Sequence, residues 1–423
     1  MSARTKAKRT TNKKTKTVRA PRAGVPKTPY GIAAGIAEYY GFEPLGAAFA
    51  GLESEGGKSG IKLPASLRGR DNGVDRPALI KALVESGSGN LSQPLLIYHS
   101  EPLPRDANPK DYGGAKGIQF SLEIIGSGRA IAEALLMQAA RAIAEELGFV
   151  NFRFHLNSLG DRESIARFNR EFSAYANRHM EELPGVCRTH LRKRDVFKTL
   201  ECIDAHDECD TLTEEAPKPI SCLSEESRTH FAEVLEYAEG LDVPYQVNNC
   251  LVGGKDFYSK TIIELRAQDG EQPFGRALPS TSLGRGARYD TLARKCDYKK
   301  DIPAIGMSFL MGGAGFVEQP AGSAKARELR KGIYLLHIGF PAKVKSLQVL
   351  ELLRKAKVPV AHSLIKDRLG AQIGAVERIE VPYTVIIGQR EALENTAIVR
   401  EMKNRSQVTV PLSELPKHLR TIL

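Results

Sequence analysis

The chain has 423 residues, with 61 Lys and Arg against 50 Asp and Glu, a formal charge of +11 at neutral pH. Residues 1–28 hold ten of those cations and no acid, which leaves the body near neutral and excludes a protein that is basic throughout. A 42% apolar fraction excludes a wholly disordered chain, no apolar run is long enough for a membrane span, and no secretory signal is expected at the N-terminus.

The cationic tail is read as disordered, because it cannot bury enough surface to offset the entropy of ordering. It is either a solubilising extension or an arm for polyphosphate, since clustered cations displace counterions from nucleic acid. A short helix is predicted from Ile32 to Tyr40, stopped at Gly41. Residues 51–76 have poor periodicity and read as a long excursion. A helix at 76–86, a strand at Pro94–Tyr98, a Pro/Gly/Asp-rich loop at 100–117 and a strand at Ile118–Ile125 follow. The strongest helix pattern covers 129–147 and is stopped by Gly148. Then come a strand at Phe152–Leu156, helices at 162–182 and 224–240, and strands at 245–252, 257–265 and 303–310. From Gly332 the pattern becomes β-α-β-α-β, the signature of a separate α/β domain.

Two motifs carry less than they suggest. Gly51 to Ser59 resembles a phosphate-binding loop, but it has one residue too many before Lys58 and lacks the flanking strand and helix. Cys187, His190, Cys202, His206, Cys209 and Cys222 lie near one another in sequence without a CxxC pair. They read as small half-buried thiols in a reducing cytoplasm, with no metal and no disulfide framework expected.

Five other stretches occur in an informative order: Asn157-Ser-Leu-Gly-Asp161, Leu223 to Phe231, Leu251 to Glu264, Ala287-Arg-Tyr-Asp-Thr-Leu292 and Pro303-Ala-Ile-Gly306. In order and spacing they resemble histidyl-tRNA synthetase, a class II aminoacyl-tRNA synthetase. Residues 332–423, with Tyr383 to Gly388 and Val410 to Leu415, resemble that family's anticodon-binding domain. The resemblance implies an α+β protein: a class II antiparallel-sheet core over 29–325, a helical insertion at about 165–240, and a C-terminal α/β domain over 332–423. It also implies a homodimer.

The resemblance further implies roles for particular residues. Arg105 is the retained phosphate-binding arginine of the second class II motif, but Ala107 and Asn108 replace the following Glu and Arg. Gly312-Gly313 stands where the third motif supplies an ATP-binding arginine. Gly253 stands where the family has the arginine that contacts the reacting phosphate. Gln119, Glu123 and Tyr258 match residues that read histidine, and Gln119 and Glu123 share one strand face. Arg288, or Lys255, is the available substitute cation at the substrate. The amino-acid-holding Arg-Pro-Glu-Gly-Thr loop has no counterpart in Asn72–Arg76.

Each missing preorganised charge typically costs roughly 3–4 kcal/mol of transition-state stabilisation. The leading expectation is therefore a degenerate paralogue that binds tRNA or other RNA, and histidine, without efficient aminoacylation. The alternative is an active histidine–tRNA ligase using ATP with Mg2+. A third is a histidine-sensing regulatory subunit of a phosphoribosyltransferase, against which the C-terminal domain speaks.

Overall fold

The computed structural model describes residues 28–48, 76–85, 94–102, 117–253, 257–268, 282–312, 332–366 and 369–423. Residues 1–27 of the tail, residues 51–75 of the expected 51–76 excursion with its Gly51–Ser59 run, Arg105 and Lys255 lie outside the described residues.

Strands β1 (Glu43–Pro44), β2 (Leu95–Pro102), β3 (Gly117–Ile125), β4 (Phe152–Ser158), β5 (Tyr245–Val247), β6 (Ser259–Ala267), β7 (Ser282–Arg288) and β8 (Ala304–Gly312) form one sheet. Their spatial order is β1-β2-β3-β8-β7-β6-β4-β5. The six central strands pair antiparallel, and a short parallel strand lies at each edge.

Successive side chains on a strand alternate sides, so the sheet acquires two unlike faces. Phe120, Leu122, Phe154, Ile263 and Met307 belong to the core on one side, where helices Pro29–Tyr39, Ile131–Glu146 and Glu225–Gly240 cover them. The opposite face carries His99, Ser121, Glu123 and Ser308 on neighbouring strands in register. Polar alternation in the sequence thus becomes a polar sheet face, and the candidate site lies on it.

Two sequence expectations are corrected here. No strand is expected from the sequence over 282–288. β7 forms there because its glycines permit close approach to β8: a Cβ on Gly286 would stand 2.7 Å from the Gly306 carbonyl oxygen. The strand expected over 245–252 ends at Val247, after which the Asn248 N–H donates to Leu156 O and the Leu251 N–H to Asn248 O, turning the chain away.

Between β4 and β5 the chain builds helices Arg162–Arg178, Gly185–Arg192, Val196–Asp204 and Asp210–Glu215 before Glu225–Gly240 returns to the core. They enclose a second apolar cluster that includes Phe168, Phe172, Leu191 and Leu200. Cys187 and Cys202 are joined by a disulfide, which corrects the expectation of free thiols. Packing of Gly185–Arg192 on Val196–Asp204 brings their Cα atoms to 5.5 Å across a sequence separation of 15.

The C-terminal sheet contains β9 (Ile333–His337), β10 (Ala361–His362), β11 (Tyr383–Ile387), β12 (Thr396–Glu401) and β13 (Gln407–Pro411), in the order β10-β9-β11-β12-β13. The last two strands add an antiparallel edge beyond the predicted β-α-β-α-β run. This domain is docked on the core: the Tyr40 hydroxyl donates to Glu351 at 2.5 Å, Gln138 Nε2 donates to Leu347 O at 2.8 Å, and Arg354 pairs with Glu146 at 3.0 Å. One apolar cluster continues through both units. Among the described residues no helix is long and apolar enough to cross a membrane.

Candidate ligand pocket

Glu123 sits in the middle of the polar face, 1% exposed. Space for its carboxylate comes from the cross-strand partner Gly306, where a Cβ would lie 1.5 Å from Glu123 Oε2. The Pro303-Ala-Ile-Gly306 motif therefore has a local meaning: β8 must carry no side chain beneath this acid. Burial pushes the Glu123 carboxyl above the usual carboxylate range, while the Arg76 guanidinium and the Tyr289 hydroxyl work in the opposite sense.

The group on Glu123 is a side chain of the protein itself. Arg76, the first residue of helix Arg76–Glu85, donates from Nε to Glu123 Oε1 at 3.1 Å and Oε2 at 3.3 Å. Its Nη1 donates to the Tyr258 hydroxyl at 3.0 Å. The guanidinium carbon lies 5.3 Å from the Tyr289 ring centroid and 5.9 Å from that of Tyr258, within cation–π range. The Tyr289 hydroxyl closes the arrangement by donating to Glu123 Oε2 at 2.7 Å. A carboxylate flanked by two tyrosines makes a box for a planar cation, and Arg76 fills it.

The pocket also holds unpaired polar atoms. Arg76 Nη2 and both ring nitrogens of His99 are buried without a hydrogen-bond partner among the described residues. Burial, aided by the Arg76 charge, pushes the His99 imidazole down to about 4, so the ring is neutral at physiological pH.

The structure brings Glu123 and Tyr258 together around Arg76 and places Gln119 and Arg288 apart from them. Gln119 lies on the same face further along β3, where its Nε2 donates to Glu101. Arg105 lies outside the described residues.

Arg288 requires a correction. It is fully buried on the helix side of the sheet, with Nε and Nη2 donating to the Glu133 carboxylate at 2.6 and 2.7 Å. Its remaining donors go to Ser127 O, Asp290 Oδ1 and Arg129 O at 2.9, 3.2 and 3.2 Å. All five N–H groups are thereby engaged, and none is left for a substrate. Glu133 also accepts from Thr261 and meets His230, so the cluster ties β6, β7 and two helices together.

The physical reason is strand parity. Ala287 is paired with Gly306 on the pocket face, so Arg288 turns to the helices and Tyr289 returns to the pocket. The Ala287-Arg-Tyr motif was legible in the sequence, and its tyrosine is the residue that reaches Glu123. Arg76 carried a weaker signal: an Arg-Pro pair opening a helix next to a segment with no matching motif.

Gly253 adds a second departure from the expected pattern. Its φ is +69°, and a Cβ there would stand 2.8 Å from Tyr258 Cδ2. An arginine at this position would meet both the left-handed backbone and the tyrosine ring. Cys250, close by in sequence, is a poor nucleophile: burial, with Asp204 alongside, pushes its thiol up to about 12.

Six antiparallel strands bounded by short parallel ones, a helix-covered apolar face and a polar face opposite, joined to a mixed C-terminal sheet, define a class II aminoacyl-tRNA synthetase fold of the α+β class. Residues 335–422 match the model described as an anticodon binding domain. Histidine–tRNA ligase of Fervidobacterium nodosum is 29% identical over 338 residues, covering 78% of this chain and 76% of that relative. The Geobacillus kaustophilus histidine–tRNA ligase is 28% identical over 342 residues, covering 81% and 78%. The apo histidyl-tRNA synthetase structure from S. aureus aligns over 95% of this chain and 100% of that one, at 19% identity and a TM-score of 0.44. In sequence the chain is thus similar to histidine–tRNA ligases over 78–81% of its length.

Proposed function

We propose that this chain is an RNA-binding member of the histidyl-tRNA synthetase family whose amino-acid pocket is occupied by its own Arg76, so that it does not aminoacylate efficiently. The observation that carries this reading is the guanidinium on Glu123, Tyr258 and Tyr289. An incoming imidazole would need the same carboxylate and the same tyrosine. Removing one partner of a buried ion pair costs about 3–5 kcal/mol, so histidine must first displace a well-held cation.

Gly253, Ala107, Asn108 and Gly312-Gly313 support the same conclusion, since each stands where the family carries a charged contact to ATP or substrate. Two absent arginines together put the expected activation rate roughly 10⁴-fold or more below that of an intact site. RNA would be held by the domain over 335–422, with the cationic tail adding phosphate contacts that position without specifying sequence.

A second reading, an active histidine–tRNA ligase using ATP and Mg2+, is favoured by the names of the relatives. It requires Arg76 to swing away when histidine arrives. Histidine-stimulated ATP–pyrophosphate exchange separates the two. The wild-type chain is expected to show no stimulation and no histidine-induced thermal shift. Arg76→Ala is expected to gain a thermal shift with histidine, and Arg76→Ala with Glu123→Ala to lose it again. Robust exchange by the wild-type chain would overturn the occupied-pocket reading.

A further inference from the structure

The helical insertion contains a second chemical cluster, remote from the pocket in sequence and unused by it. Cys187 lies in the first turn of Gly185–Arg192, fully buried, and Cys202 lies near the end of Val196–Asp204. His206 follows two residues after that helix. One donor atom from each of the three residues lies within 4.8 Å of the others.

The imidazole is also held in a defined tautomer. His206 Nδ1 lies 2.6 Å from the Cys202 carbonyl oxygen, which can only accept, so the ring proton sits on Nδ1. In the neutral ring Nε2 then keeps its lone pair. A backbone carbonyl that fixes the tautomer of a nearby histidine is the usual support of a metal-ligating ring. Two thiolates and an imidazole form a soft, borderline donor set suited to zinc, leaving the fourth tetrahedral position to water.

We infer that, in the reduced chain, Cys187, Cys202 and His206 bind one divalent zinc-class cation, and that the Cys187–Cys202 disulfide is the metal-free oxidised form of the same site. Zinc binding to the dithiol forms two Zn–S bonds and releases two protons. With hydrogen peroxide as oxidant, the two sulfurs lose two electrons and form the S–S bond. The peroxide O–O bond breaks, its oxygens leave as two waters after taking up two protons, and Zn2+ departs. Both states cross-link the same two helices, so the exchange needs no change in topology.

The test uses the full chain, reduced and freed of metal by chelator, then titrated with Zn2+ against a chromophoric competitor. One equivalent is expected to bind. Hydrogen peroxide is expected to release it with loss of two titratable thiols, and a reductant to restore uptake. Cys202→Ser is expected to abolish binding, and His206→Ala to weaken it at least about tenfold. Cys222→Ser is expected to leave it unchanged, because that thiol faces Glu171 in the same cluster of helices. Circular dichroism checks that each variant is folded. Co2+ in place of Zn2+ should give the thiolate charge-transfer band of a two-sulfur site. A folded, reduced chain that takes up no metal, or one whose uptake survives Cys202→Ser, overturns the inference.

Discussion

Glu123 can enter the sheet face only because Gly306 offers no side chain beneath it. Gly306→Ala would place a methyl group 1.5 Å from Oε2 of that carboxylate. The acid would be forced away from Arg76, and a loss of about 3–5 kcal/mol in urea unfolding is expected, as for breaking a buried pair. His99 supplies a separate observable. Burial and then the Arg76 charge hold its imidazole down to about 4, whereas an unfolded histidine titrates near 6.5. The unfolded chain therefore takes up the proton first as pH falls. The stabilising contribution is complete above about pH 6.5 and is lost on the way down to about 4. Its size is about 3 kcal/mol at most. Urea midpoints measured between pH 7 and 4 should fall for the wild-type chain and fall less for His99→Gln. Equal slopes would remove His99 as the source.

Two of the sequence motifs support elements of the fold. Asp161 caps helix Arg162–Arg178 by accepting from the Ser164 N–H at 2.9 Å. Its other carboxylate oxygen accepts from the Ser224 and Ser227 hydroxyls at the start of Glu225–Gly240. The Asn157–Asp161 and Leu223–Phe231 stretches are thus one joint between two helix starts. Asn157 extends it by donating to the Asn249 and Leu251 carbonyls at 3.2 and 3.0 Å. Burial alone would raise the Asp161 carboxyl, yet the Ser164 N–H and the serine hydroxyls hold it down to about 2. Its stabilisation is present above the unfolded value near 3.8 and is lost as pH falls toward 2. Asp161→Ala is expected to cost about 1–2 kcal/mol at neutral pH, in line with lost helix caps. In a double-mutant cycle with Ser224→Ala the two losses should be less than additive, because they remove one shared contact. Strict additivity would show the joint to be two independent caps.

At the scale of the molecule, the C-terminal domain is bolted to the catalytic-type core by Tyr40–Glu351, Gln138–Leu347 and Arg354–Glu146 and by shared apolar packing. Such a junction favours cooperative unfolding of the two units, which coincident fluorescence and circular-dichroism transitions would reveal. The charge distribution makes a different prediction. Ten cations lie in residues 1–28 and the rest of the chain is close to neutral. If that tail supplies most of the phosphate contacts, deleting it should weaken RNA binding at low salt and flatten the dependence of log K on log salt. Unchanged affinity and slope would assign the binding to the folded domains.

Much of the architecture could be read directly. Alternating polarity in Ile118–Ile125 announced a strand with one polar face, the 129–147 pattern announced the central helix, and the run after Gly332 announced a second α/β unit. β7 was hidden because the feature that places it, two glycines against β8, resembles a loop in one dimension. The occupied pocket was hidden for another reason. Arg76 meets Glu123 across 47 residues and Tyr258 across 182, separations over which no local periodicity constrains the chain.

The sequence by itself determined the split between a cationic tail and a neutral body, the alternating strands and the family resemblance, because composition and short-range periodicity are local properties. Only the tertiary structure decided that Arg288 faces Glu133 while Tyr289 faces Glu123, and that the pocket's cation comes from the chain itself. Those outcomes depend on strand pairing and on charge neutralisation in a buried site, where an acid without a partner would be too costly to keep.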